Sequence, residues 1–210
     1  MDRQFWYDRW ESNRIGFHSS KPNPSLVAHV EALSLNEGDR VFLPLCGKTL
    51  DIGWLLAKGY QVVGAELSKI AIEQLFAEMK ITPEVSEGED ILHFSAPMVD
   101  IFVGDIFTMT RKMIGGIDAV YDRAALVALP VEMRKRYTEH LVEIMNKAPQ
   151  LLLAFTYDQA LMDGPPFSIK DEEVKSYYEA PYTLLKIDSH EVPGGLKGVC
   201  PAQEHVWLLK

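Results

Sequence analysis

The chain predicts an α/β fold: a doubly wound sheet that ends in an antiparallel hairpin. Three observations carry this expectation. Short apolar runs recur with helical patterns between them, one later run is continuously apolar, and two strand-like pieces close the chain across a Pro/Gly-rich stretch. A length of 210 residues suits one domain, 1–210, better than two. Apolar residues make up 47% and charged residues 24%, which excludes disordered and fibrous classes.

Taken in order, Arg40-Val-Phe-Leu-Pro44 is the first strand, and Asp51 to Lys58 reads as helix. Gln61-Val-Val-Gly-Ala-Glu66 is the second strand, followed by Ser68 as a helix cap and a helix over 70–79. Alternating stretches at 91–95 and 98–103 flank Ala96-Pro97 and predict a hairpin that feeds a third strand. Ile117-Asp-Ala-Val-Tyr121 is the fourth. After it, Pro130 starts a helix with Met133, Tyr137, Leu141 and Met145 spaced four apart. Gln150-Leu-Leu-Leu-Ala-Phe-Thr156 reads as a strand buried on both faces. A Gly164-Pro-Pro-Phe167 loop, a short helix at 171–178 and strands at 182–192 and 204–209 complete the chain.

Twenty-one basic against thirty acidic residues give a net charge of −9, which argues against nucleic acid or an anionic membrane as partner. Cys46 and Cys200 form no Cys framework, and no apolar stretch reaches the roughly 18 residues of a membrane span. A cytoplasmic protein with no signal peptide is the expectation. Glu84 to Asp90 and Glu172-Glu173 read as solvated surface turns, and Arg134-Lys-Arg136 as the exposed face of a helix.

In open α/β sheets, ligands bind beyond the carboxyl ends of the strands, so the residues just after each strand are the candidates. After the first stands Leu45-Cys-Gly47-Lys-Thr49. It has neither the G-x-G-x-x-G fingerprint nor the upstream glycine of a phosphate loop, so no triphosphate cradle forms there. Glu66 ends the second strand, where a carboxylate can take the vicinal hydroxyls of a ribose; helix capping or a pair with a lysine is its structural alternative. Gly104-Asp105 ends the third, with an acid placed for an adenine amine or for a turn. Asp122-Arg123 ends the fourth, either as an ion pair or as a fixed cation at the mouth of the cleft. The ligand therefore reads as a nucleoside without pyrophosphate, which adenosylmethionine fits and a dinucleotide does not.

Leu43-Pro-Leu-Cys-Gly-Lys48, Val63-Gly-Ala-Glu66-Leu-Ser68, Tyr121-Asp-Arg-Ala-Ala-Leu-Val127 and Gly164-Pro-Pro-Phe167 resemble the thiopurine S-methyltransferases. Trp6-Tyr-Asp-Arg-Trp10 and Gly16-Phe17-His18 extend the resemblance to nearly the whole chain. It implies a seven-stranded, mostly parallel, adenosylmethionine-dependent methyltransferase fold, a monomeric cytosolic enzyme, and an N-terminal segment, 1–35, that caps the cofactor. It implies aromatic or heterocyclic thiols as acceptors, and in some members selenium or tellurium compounds. Trp10, Leu45, Glu66 and Arg123 resemble the family's cofactor contacts, with Gly104 and Asp105 near adenine. Phe17 resembles its substrate-facing phenylalanine. At 189–197 the chain departs from the pattern: where some members carry a second arginine, only Lys197 is near.

Arg123 is the expected catalytic group, favouring the thiolate form of the acceptor. Trp6 and Trp10, with Phe5, are either core anchors or a lid whose ring face attracts the sulfonium. No histidine pair has metal-ligand spacing, so no metal is expected. His18 is the histidine to watch, while His93, His140 and His205 read as surface or satisfied groups. Cys46 reads as a small buried residue rather than a nucleophile. A nicotinamide-dependent oxidoreductase and a non-catalytic adenosyl-ligand binding protein are the competing functions.

Overall fold

The computed structural model describes residues 3–16 and 18–210. The N-terminal helix α1 spans Arg3–Glu11, and α2 follows at Pro24–His29. Pro24 occupies the first turn of α2, and the Asn23 side chain accepts the Ser25 and Leu26 amides at 2.8 and 3.2 Å. Strand β1 (Arg40–Leu43) leads into helix α3 (Leu50–Ala57), and β2 (Gln61–Glu66) into α4 (Lys69–Met79). Ser68 caps α4 as its sequence predicts, accepting the Ala71 amide.

Three strands follow, β3 (Glu84–Glu87), β4 (Leu92–Ala96) and β5 (Val99–Val103), and then the one-turn α5 (Arg111–Ile114). Strand β6 (Ala119–Asp122) precedes α6 (Val131–Ile144), and β7 (Gln150–Thr156) precedes α7 (Asp171–Tyr178). The last two strands are β8 (Leu184–Glu191) and β9 (Gln203–Leu209).

The sheet order is β3-β4-β5-β2-β1-β6-β7-β9-β8. The expected seven-stranded, mostly parallel sheet is thus corrected to one of nine strands of mixed direction among the described residues. β5, β2, β1, β6 and β7 are parallel to one another, whereas β3–β4, β4–β5, β7–β9 and β8–β9 are antiparallel pairs. The strand that sequence reading missed is β3, placed within an acidic surface turn. It is exposed along its whole length, so it has no buried face to produce apolar alternation, and acids on an open edge discourage pairing with other chains.

Alternate residues of the parallel strands feed two cores. Val41, Leu43, Ala119 and Tyr121 face one with α2, α3 and α4; Phe42, Val120 and Leu152 face the other with α6 and α7. Both faces are covered, which is why these strands read as continuous apolar runs. In α6, Tyr137, Leu141 and Met145 are buried as their spacing predicts. Arg134 corrects the expected exposed face: it is 4% exposed, donating to the Leu129 carbonyl and to Glu173 of α7. Among the described residues no helix is long and apolar enough to cross a membrane.

The chain runs outward from β1 to β2 and β5, then returns past β1 to form β6 and β7. The order therefore reverses between β1 and β6, and the crevice at their carboxyl ends is where such a sheet binds ligands.

Candidate active site

At that crevice lies a cavity of about 550 Å³, within the range of small-ligand sites. Trp10, Leu45, Glu66, Gly104, Asp105 and Arg123 all line it, as does Lys197. Phe17 lies outside the described residues. The turns after β1, β2, β5 and β6 bring together positions up to 78 residues apart in sequence, from Leu45 to Arg123, and α1 adds Trp10.

Glu66 organises the turns after β1 and β2. Its Oε2 accepts the Gly47 amide at 2.8 Å, and its Oε1 accepts the Leu67 and Ser68 amides, each at 2.8 Å. A carboxylate has about four acceptor sites, so one remains open, on Oε2. Burial raises the Glu66 pKa, and the Ser68, Gly47 and Leu67 amides pull it back. The helix-cap alternative is not realised, since Ser68 caps α4 and the Glu66 carboxylate bridges the turns before it.

The same contacts decide what the first turn can hold. The Cys46 amide donates to the Ala65 carbonyl, the Gly47 amide to Glu66 and the Thr49 amide to the Cys46 carbonyl. These donors are turned into the fold, so no nest of free amides awaits a pyrophosphate. Lys48, the lysine of the incomplete phosphate-loop pattern, pairs with Glu78 at 2.6 Å. Leu45 and Gly47 both have positive φ, +47° and +53°. Glycine suits the second position, where a Cβ would approach Trp10 Cζ2 to 3.0 Å. Trp10 is 4% exposed, and Arg3, Trp6 and Trp10 present one face of α1 to the cavity.

Cys46 is buried beneath this turn, and its thiol pKa is pushed well up by burial and then by Glu66. A nucleophilic thiolate is disfavoured there. Asp105 accepts the Phe107 amide at 3.1 Å and pairs with Arg3 of α1. At Gly104 a Cβ would lie 2.8 Å from the Asp90 carbonyl oxygen, so the chain passes there only without a side chain.

Beyond β6, neighbouring residues diverge. Asp122 turns into the core, accepting the Tyr137 hydroxyl at 2.7 Å and the Leu126 amide at 3.1 Å. Burial lifts its pKa from 3.8 to about 6, against those hydrogen bonds. Arg123 turns into the cavity, so the two form no ion pair. Among the described residues its guanidinium has no hydrogen-bond or ion-pair partner. Ala124 follows at φ +62°, an unfavourable conformation for a residue with a Cβ. Lys197 donates to the Pro165 carbonyl at 2.5 Å, which joins the last loop to the proline loop at the cavity wall.

Sequence reading missed Asp51, which is 1% exposed and lines the cavity from α3. It accepts the Asn23 amide at 2.7 Å and the Tyr121 hydroxyl at 3.2 Å, fastening the N-terminal segment to β6. An aspartate at a helix start looks like any first-turn acid, so no local signal marks it. The other histidines are engaged as expected: His93 with Asp100, His140 with the Ile106 carbonyl, and His205 between Thr156 and Ser189. Among the described residues no cluster of His, Cys, Asp or Glu is arranged to hold a metal ion.

Comparison with known proteins gives this geometry a family. The sequence profile of thiopurine S-methyltransferase matches residues 1–210. A thiopurine S-methyltransferase from Xanthobacter autotrophicus is 55% identical over 211 residues, covering 100% of this chain and 99% of its own. One from Teredinibacter turnerae is 48% identical, covering 100% and 97%. Among solved structures, the Burkholderia thailandensis 1,6-didemethyltoxoflavin-N1-methyltransferase with bound 1,6-didemethyltoxoflavin and S-adenosylhomocysteine superposes with a TM-score of 0.67. Its identity is 15%, and the match covers 99% of this chain and 87% of that one. At that identity the likeness speaks to the fold, and the sequence matches over the full length decide the family. This chain belongs to the thiopurine S-methyltransferase family.

Proposed function

We propose that the protein moves the methyl group of S-adenosyl-L-methionine to an aromatic or heterocyclic thiol of the thiopurine kind, with selenium and tellurium compounds as further acceptors. The observation that carries this reading is a division within one cavity: a nucleoside end organised by Glu66 without a phosphate cradle, and an acceptor end with an unpartnered arginine. Family membership speaks against the nicotinamide-dependent oxidoreductase. The inward-turned amides of Cys46, Gly47 and Thr49 argue the same way.

The residues present fit adenosylmethionine. The open acceptor site on Glu66 Oε2 would take a ribose hydroxyl, and Gly104 and Asp105 would hold the adenine end. Leu45, in the turn after β1, and the Trp10 ring would hold the remainder, an aromatic face attracting positive charge. When bound, the donor supplies a methyl group on a cationic sulfur, open to in-line displacement. What the chain adds is position and electrostatics: it holds the acceptor sulfur at near-attack distance, keeps water out with α1, and favours the acceptor's anionic form through Arg123. Phe17 is assigned to the acceptor by the family resemblance alone. Residues 1–210 act as one domain capped by residues 1–35, a cytoplasmic monomer whose two buried free cysteines suit a reducing compartment.

Radiolabelled methyl transfer to 6-mercaptopurine, with calorimetry against adenosylhomocysteine and NADH, tests the reading. Adenosylhomocysteine binds, NADH does not, and the label appears on the acceptor sulfur. Tight binding of adenosylhomocysteine without transfer to any heterocyclic thiol or selenium compound leaves the non-catalytic binding protein in its place.

A further inference from the structure

The proton-accepting groups around the cavity are nearly all engaged. Asp51 holds an amide and a hydroxyl, Glu66 three amides, and Asp105 an amide and Arg3. Among the described residues, His18 is the cavity-lining base whose side chain makes no hydrogen bond and no ion pair. Its backbone amide donates to the Ile15 carbonyl at 2.8 Å, and its half-buried imidazole lines the cavity wall. Three charged groups bear on it: Lys48 from the β1 turn, Glu78 from α4 and Arg123 from the β6 turn. Burial lowers the imidazole pKa most, then Lys48 and Arg123, with Glu78 opposing; Lys48 and Glu78 also pair with each other. The ring is therefore neutral at pH 7 and free to take a proton.

We propose that His18 is the proton acceptor for acceptor thiols that arrive protonated, extending the enzyme's range from acidic heterocyclic thiols to thiols of ordinary acidity. This rests on the methyl-transfer reading above. The S–H proton passes to an imidazole nitrogen and the sulfur keeps the bonding pair. That pair forms the bond to the methyl carbon as the carbon–sulfonium bond breaks, its electrons staying on the sulfur of adenosylhomocysteine. The imidazolium then returns its proton to water. Lys48 and Arg123, the two cations that disfavour a lone imidazolium, also favour the thiolate formed in the same cavity.

The test uses two acceptors at pH 7: a nitro-substituted thiophenol, ionised in solution, and phenylmethanethiol, which is protonated. His18→Gln lowers kcat/KM for phenylmethanethiol by about 100-fold or more and for the nitrothiophenol by far less. The phenylmethanethiol loss shrinks as pH rises past the thiol's own pKa. Independently of turnover, phenylmethanethiol mixed with enzyme saturated in adenosylhomocysteine shows thiolate ultraviolet absorption with the native protein and none with His18→Gln. Equal losses on both acceptors, a native enzyme inactive on phenylmethanethiol alone, or a thiolate signal unchanged in the variant would each overturn the assignment. Failure to methylate either thiol, together with failure on 6-mercaptopurine, sinks the methyl-transfer reading, and the absorption measurement still decides on His18.

Discussion

At the end of the cavity beneath β2, one carboxylate holds three backbone amides, and the turns it joins have their own amides directed inward. Beyond β6 the Arg123 guanidinium lines the same cavity as the His18 imidazole, neither side chain with a hydrogen bond among the described residues, and Ala124 next to Arg123 holds a positive φ. The first end is nearly satisfied before a ligand arrives, with one acceptor site open on Glu66, and its shape is part of the fold's stability. The second keeps its polar capacity in reserve for charge that develops on a ligand, which is the arrangement electrostatic catalysis requires. Substitutions at the first end should therefore cost stability and donor affinity together, whereas those at the second should cost turnover alone.

The strongest way to break this contrast is Glu66→Ala. It leaves three inward-facing amides without an acceptor, at about 1–3 kcal/mol each. Loss of at least about 3 kcal/mol in urea unfolding is expected, with adenosylhomocysteine affinity falling in parallel. Stability within about 1 kcal/mol of native, with affinity alone reduced, would show that Glu66 serves the ligand and not the turns.

Asp122 is the buried anchor behind Arg123 and sharpens the comparison through pH. Its folded pKa is raised from 3.8 to about 6, so its stabilising contribution is full below the unfolded value and lost as pH rises through the folded one. A shift of that size corresponds to about 3 kcal/mol. In Asp122→Asn that loss disappears, so variant stability minus native stability should rise by about 2 kcal/mol from pH 4 to pH 7.5 in urea unfolding, the rest of the change lying below pH 4. A flat difference would mean that the Asp122 carboxylate is no harder to ionise in the fold than in the open chain.

The same contrast explains what the sequence could reveal. β1, β2, β6 and β7 were legible because burial on both faces writes continuous apolar runs into the chain. β3 was not, because an edge strand exposed on both faces has no such constraint. Glu66 and Arg123 were legible as strand-end residues, since the fold class alone marks those positions. Asp51 and Arg134 were not, because their partners lie far along the chain: Tyr121 for one, Glu173 for the other. A helix wheel shows which face a residue occupies and says nothing about the element that will cover it.

Arg123→Ala should leave stability nearly unchanged, since no partner is lost, and lower kcat/KM for a heterocyclic thiol by about 10- to 100-fold. The deficit should narrow at pH above the thiol's own pKa, where the acceptor ionises unaided. Arg123→Lys keeps the charge and loses the planar fork, so its activity falls between the two. Full kcat/KM in Arg123→Ala at every pH would move the acceptor end elsewhere.

The smallest effect belongs to Cys46, which sits at the first end yet touches no ligand chemistry. Gly64 on β2 leaves room for its sulfur, since a Cβ there would lie 2.9 Å from Sγ. In Cys46→Ser a hydroxyl replaces the sulfur in a site shaped by Gly64 and Ile101, where it costs about 1 kcal/mol of stability. Turnover stays near native, because the Cys46 amide that shapes the turn is backbone and remains on the Ala65 carbonyl. Loss of methyl transfer in a normally folded Cys46→Ser protein would make the thiol part of the chemistry. The pairing of stability with donor binding at this end would then fail at its most buried member.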